Sequence, residues 1–191
     1  TNGFLYVPAA GGLTGGYDDD TLTRLAEIAR EHQVNYIVTE SNFGDGMFNQ
    51  LLIPVLNRIY PVSIEEVRHN TQKEKRIIDT LEPVMGAHKL VIDPEVIKDD
   101  YETIKKYPHE SQLKYSLFYQ MSRLTRERGA ITHDDRLDAL SMAVGYWVEQ
   151  MAQDADRKMM ERKTELLDAE LQKFQDAYFK SRGGSAQTLT W

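Results

Sequence analysis

The chain has 191 residues, 41% hydrophobic and 28% charged, enough apolar material for one sizeable core and ordinary for a soluble globular domain. Cysteine is absent, which excludes disulfides, thiolate zinc sites and cysteine nucleophiles, so catalysis must use oxygen, nitrogen or a metal. A formal net charge of −7 argues against a general nucleic-acid-binding module and leaves any such contact to a local basic strip or to bound cations. No apolar run approaches the roughly 18 residues that span a bilayer, and the first residues lack the basic-then-apolar order of a secretory signal. A soluble cytoplasmic protein is the expectation.

The first element in chain order is a strand within residues 3–10, followed by a glycine-rich connection over 11–16. Asp18, Asp19 and Asp20 then precede Leu22, Leu25, Ile28 and Ala29, the spacing of an amphipathic helix with an acidic start. Residues 34–39 are β-branched and aromatic, of strand type, and deliver Glu40 at their carboxyl end. A helical stripe runs from Met47 to Ile59, which Pro54 should kink or divide. Strands over 62–68 and 89–92 flank a helix over 73–85 that ends near Gly86. The alternation β-α-β-α-β-α-β predicts an α/β sheet covered by helices.

Beyond Pro94 the pattern is mainly helical. One helix is expected over 94–106, broken at Tyr107-Pro108, and a second over 111–128, stopped by Gly129, with Tyr115 and Tyr119 as amphipathic core residues. A further helix starts at Asp134 and continues into a highly charged segment, 149–182, with thin apolar spacing, ending at Gly183-Gly184-Ser185 in a loose tail. The tail from residue 147 holds eight acidic and seven basic residues, so the net charge resides mainly in residues 1–146. The expected division is a domain over 1–150 and a charged helical tail over 151–191.

Chemistry concentrates in Ile131-Thr-His-Asp-Asp-Arg-Leu-Asp-Ala-Leu140. On a helix Asp135 and Asp138 (i, i+3), and Asp134 and Asp138 (i, i+4), share one side, so negative charge crowds a small volume. Two readings offset the repulsion. One is helix capping, with Asp134 or Asp135 as N-cap, Asp138 in the first turn, and Arg136 screening them. The other is a divalent cation such as magnesium, which takes hard carboxylate oxygens. Glu40 stands where a strand of an open α/β sheet presents ligand-binding residues, although it also reads as the first solvated residue of a loop.

Four blocks carry a family resemblance: Glu40-Ser-Asn-Phe-Gly-Asp-Gly46, Lys73-Glu-Lys-Arg-Ile-Ile-Asp-Thr-Leu-Glu-Pro-Val84, Tyr115-Ser-Leu-Phe-Tyr-Gln-Met121 and His133-Asp-Asp-Arg-Leu-Asp-Ala-Leu140. In this order, over about residues 3–150, they resemble the nuclease domain of the terminase large subunit of tailed, particularly short-tailed, bacteriophages. The resemblance implies an α/β, RNase H-like mixed sheet flanked by helices, here with a long helical C-terminal extension. It implies two Mg²⁺ or Mn²⁺ ions held by carboxylates, and cutting of concatemeric double-stranded DNA during packaging. By motif Glu40 resembles the second catalytic acid and Asp135 the third, with Asp134 an additional ligand. Asp138 is a ligand or a hydrogen-bonding support for one.

Two metals about 3.5–4 Å apart would hold a scissile phosphate and activate a hydroxide for in-line displacement. Lys73, Lys75 and Arg76 form the best basic strip for phosphate contacts, against the alternative of a solvated helix start. His133 and Asp45 are further candidates for ligand or phosphate contact, His133 also being simply the residue before the cap. The family's first catalytic aspartate lies on an upstream strand that this chain begins too late to contain, and no phosphate-binding loop of an ATPase occurs. Weak or absent cleavage by these residues alone is therefore expected. Expected partners are DNA, the upstream ATPase domain, the portal or procapsid and the small terminase subunit, with no membrane, in the host cytoplasm. A junction resolvase or other RNase H-like nuclease, and a non-catalytic docking adaptor, are the competing readings.

Overall fold

Parallel strand pairs joined by helices build the first part of the molecule, as expected where each crossover is a helix. The computed structural model describes residues 3–41 and 46–181. Strand β1, Leu5–Val7, pairs in parallel with β4, Leu90–Ile92, with Leu5 opposite Leu90. Strand β2, Tyr36–Glu40, pairs in parallel with β3, Ser63–Val67, with Glu40 opposite Val67. Among the described residues these are two separate two-stranded sheets, so the expected mixed sheet is represented by parallel pairs alone.

Helix α1, Asp19–Glu31, starts where its sequence directs: the Asp18 carboxylate accepts the Thr21 N–H at 2.7 Å, and Asp19 and Asp20 face the positive helix end. Helix α2, Met47–Ile59, runs through Pro54 without being divided there, one of the two outcomes expected of that proline. Its other face holds it in place. Leu52 and Leu56 are buried against Leu22, Ala26 and Ala29 of α1, with Ile37 and Ile64 of the β2–β3 pair packed beside them. Full burial of each such leucine contributes about 1.5–3 kcal/mol, which offsets the hydrogen bond lost at proline.

Helix α3, Lys73–Gly86, buries Ile77, Leu81 and Val84. Helix α4, Pro94–Ile104, is capped by Asp93, whose carboxylate accepts the Glu95 N–H at 2.9 Å. The single helix expected over 111–128 is replaced by a 3-10 turn, Gln112–Tyr115, and a short helix α5, Leu117–Arg123. The cause is Ser116. Its backbone is extended (φ −79°, ψ 131°), and its hydroxyl accepts the Tyr119 N–H at 3.2 Å while donating to Asp100 at 2.6 Å. Leu124 is extended again and ends α5 well before Gly129.

Helix α6 spans Asp135–Ser181, 47 residues. The chain forms two units, Thr1–Tyr146 and Trp147–Trp191. Within the second, every side chain over residues 152–180 is exposed, in keeping with the charged, thinly apolar sequence. Among the described residues no helix is long and apolar enough to cross a membrane.

Candidate active site

The site grows from the first turn of α6, where four backbone N–H groups lack intrahelical partners. Capping predicts that the Asp134 carboxylate takes one of them. Instead Gln120 of α5, 1% exposed, reaches across: its Oε1 accepts the Leu137 N–H at 3.0 Å, and its Nε2 donates to the Lys114 carbonyl at 3.0 Å. The Asp134 carboxylate accepts from Lys73 Nζ at 2.8 Å. Lys73 also lies 3.1 Å from Asp138, and Arg76 Nη2 lies 2.8 Å from the other Asp138 oxygen. Asp138 is buried, and two cations from α3 neutralise the two acids.

Burial draws the Lys73 ammonium downward, but the hydrogen bond to Asp134 and the field of Asp138 outweigh it and leave the group above the ordinary lysine value. Lys73 and Arg76, expected to meet phosphates, thus face carboxylates of their own chain. Lys75 is exposed. Arg136, expected to screen the acids, turns inward to α4. Its Nη1 donates to Asp100 at 2.5 Å and to Thr103 at 2.9 Å. Asp100, 2% exposed, also accepts from Ser116 Oγ and from the Leu117 N–H at 2.9 Å. Gly12 passes against the guanidinium, where an added Cβ would stand 3.4 Å from Arg136 Nε, and Lys106 Nζ donates to the Gly12 carbonyl at 2.6 Å.

Asp135 remains exposed and takes no hydrogen bond or ion pair among the described residues. Beside it His133 stacks on Tyr115 with centroids 4.3 Å apart, and Tyr115 stacks on Tyr107 at 3.7 Å and 7°. Tyr115 is therefore a half-buried ladder member rather than an ordinary core residue. Burial raises the Tyr107 hydroxyl, opposed by Arg136 and aided by Tyr115 and Asp135, which places the ring within the field of both charges.

Glu40 closes β2, where the Ser41 N–H bonds the Val67 carbonyl at 2.9 Å. It lines a cavity of about 200 Å³ with Thr39, Gly46, Phe48 and Asn49. Asn49 Nδ2 donates to Thr39 Oγ1 at 3.0 Å. Asp45 lies outside the described residues. The carboxylates are hard oxygen donors of the kind magnesium takes, yet among the described residues no group of three or more His, Cys, Asp or Glu side chains converges so as to hold an ion. Lys73, Arg76, Asp134 and Asp138 are gathered; Glu40 is not among them.

Sequence reading passed over Asp100, Ser116 and Gln120. A signal existed: Asp100 lies four residues from both Val96 and Ile104, and Gln120 lies in phase with Leu117, so both put a polar group on an apolar stripe. Such a group is buried only when bonded.

Residues 1–90 match the family described as Terminase Bacteriophage T7, Ribonuclease H-like domain. The chain is also 44% identical over 182 residues to the terminase large subunit of Enterobacteria phage T3, a match covering 95% of this chain and 30% of that protein. The chain thus spans under a third of the length of this relative. With both findings pointing to one family, the chain belongs to the terminase large subunits and carries their RNase H-like domain.

Proposed function

We propose that this chain is the nuclease part of a terminase large subunit, cutting concatemeric double-stranded DNA during genome packaging by metal-dependent phosphodiester hydrolysis. The observation that carries the reading is the contrast at the start of α6: Asp134 and Asp138 are held by Lys73 and Arg76, while adjacent Asp135 is exposed and uncommitted. A carboxylate that faces solvent on a helix start fixed by its neighbours suits a cation ligand. Asp135 and Glu40 would hold the ions, with Asp134 as a further ligand once Lys73 yields it. Asp138 acts through Arg76 and Lys73 as a positioning residue. When bound, two Mg²⁺ or Mn²⁺ ions supply a hydroxide and neutralise charge on the phosphate. His133, stacked on Tyr115, and exposed Lys75 would meet phosphate oxygens.

The assignment extends to the division of labour. Residues 1–150 form the nuclease domain and 151–191 a C-terminal segment whose helix docks on the portal or procapsid, with the ATPase domain and small subunit as further partners in the host cytoplasm. The exposed Met159, Leu166, Leu167 and Phe174 of the tail support a docking role for that segment.

The test is cleavage of supercoiled plasmid with Mg²⁺ or Mn²⁺ by this chain, expected to cut weakly or not at all, and by the same chain extended upstream, each beside Asp135→Ala. Cleavage abolished by that change and by chelator is the expected result. Preference for a four-way junction or an RNA–DNA hybrid over duplex would move the assignment to a resolvase or another RNase H-like enzyme. Metal-dependent cleavage that survives Asp135→Ala would overturn the site.

A further inference from the structure

A second excess of positive charge lies outside the strip first expected to meet DNA, in a stretch joined to the same helix by the Gln72 amide, which donates to the Arg126 carbonyl at 3.2 Å. Residues 105–128 hold six basic and two acidic side chains in a protein whose total is −7. Arg126 is committed to Asp79 and Glu82 of α3, and Lys105 to Glu102. Lys106 and Lys114 differ. Both are exposed, and Lys114 has no ion-pair partner among the described residues. Lys106 gives one hydrogen bond to the Gly12 carbonyl, and an ammonium has three donors.

Each of these lysines immediately precedes a ring of the ladder. Lys106-Tyr107, Lys114-Tyr115 and His133-Asp134-Asp135 come from three separate stretches of chain, and the stacks at 3.7 and 4.3 Å draw them together. The stacks, at 7° and 27° between ring planes, join the three stretches, and Lys106 Nζ stands 5.5 Å from the Tyr107 ring centroid, which keeps that ammonium on the ladder. Lys73 and Arg76 cannot turn to a phosphate without releasing Asp134 and Asp138.

We propose that Lys106 and Lys114, presented by the Tyr107–Tyr115–His133 ladder, form the rail that holds the DNA backbone beside Asp135. The proposal rests on the nuclease reading for its substrate and names the side of the site on which the strand lies. The ligand chemistry is the phosphodiester, held without reading sequence.

The experiment measures binding of the protein to a fluorescent 30-base-pair duplex in EDTA, where no metal-dependent cleavage occurs, over a series of salt concentrations. Lys106→Gln/Lys114→Gln is compared with the unsubstituted protein, with Lys106→Arg/Lys114→Arg, and with Lys89→Gln/Lys98→Gln as a control of equal charge change. The expected result is a slope of log K against log salt shallower by about 1–2 in the glutamine variant only, since each phosphate contact contributes about −0.9. The arginine variant should retain the slope and also shows that the fold tolerates change at these positions. An equal slope in the glutamine variant and the control, or no salt-dependent binding by the unsubstituted protein, would overturn the rail. Asp135→Ala separates the two readings. A shallower slope in the glutamine variant together with cleavage surviving Asp135→Ala sinks the catalytic site and spares the rail, whereas cleavage lost in Asp135→Ala with an unchanged slope does the reverse.

Discussion

Gln120 takes the backbone N–H of Leu137 at 3.0 Å and thereby occupies the place of the side-chain cap at the start of α6. Without it the third N–H of the helix would be buried and unpaired, or Asp134 would have to leave Lys73 to satisfy it. A neutral amide from another helix therefore sets a carboxylate free for other chemistry. Gln120→Leu should cost about 1–3 kcal/mol, the penalty for leaving the Leu137 N–H and the Lys114 carbonyl buried without partners. Thermal unfolding would register it as a fall of several degrees. Gln120→Glu keeps the acceptor but not the donor to Lys114. At a site 1% exposed it also turns an uncompensated carboxylate toward the Lys114 carbonyl, so at neutral pH it should lose at least as much as the leucine variant, and a smaller loss would mean that the contact to Leu137 outweighs that charge.

Asp135 and Asp138 sit three residues apart and should respond oppositely. Removing the Asp138 carboxylate leaves Arg76, itself only 11% exposed, without its counter-charge, a loss of about 3–5 kcal/mol where one partner of a buried pair is deleted. Asp135→Ala should change stability by less than about 0.5 kcal/mol, as exposed substitutions do, while abolishing metal-dependent cleavage. Denaturant unfolding of the two variants, and plasmid cleavage by the upstream-extended protein carrying each change, decide it. A stable, inactive Asp138 variant would make that residue a direct ligand rather than a support.

The order of helices and strands was legible because apolar periodicity changes between 2 and 3.6 wherever the chain changes element, and punctuation at Pro94 and Asp18 agrees with it. Pairing was less so. Short strands such as Leu5–Val7 and Leu90–Ile92 carry no local record of which neighbour they join. Residues 111–128 misled because their helical spacing is real, whereas the break depends on Ser116 meeting Asp100, a contact sixteen positions distant. At the site, the crowding of Asp134, Asp135 and Asp138 was visible as a pattern on a helix. Their separation into two held acids and one exposed acid was not, because it depends on where α3 delivers Lys73 and Arg76.

The Lys73 contacts set a direction for alkaline unfolding. Its ammonium is the form that Asp134 and Asp138 hold, so the folded value stands above the unfolded one, 10.5. The stabilisation is complete below that unfolded value and is lost as pH rises through the higher folded one. Lys73→Met should therefore be less stable than the unsubstituted protein at neutral pH, with the gap narrowing above about pH 10.5 as both proteins come to lack the charge. Unfolding midpoints in urea between pH 7 and 11.5 would show it. A gap that stays constant over that range would assign the effect of Lys73 to packing of its methylenes instead.

Asp100 and Arg136 form the most deeply buried ion pair of the first unit among the described residues, with side chains 2% and 6% exposed. Their partners differ in number: Asp100 accepts from Ser116, Leu117 and Arg136, so it ties α4 to α5 and to α6 at once. Asp100→Asn would leave the guanidinium buried without a full counter-charge and should cost about 3–5 kcal/mol. Arg136→Met should cost less, because Ser116 Oγ and the Leu117 N–H still satisfy the carboxylate. In the double variant the stranded charge is gone, and its loss should fall short of the two single losses combined by 1 kcal/mol or more, the range seen for residues in direct contact, about 0.5–3 kcal/mol. Strict additivity in denaturant unfolding would mean that the two charges are independently solvated and that this pair does not tie α4 to α6.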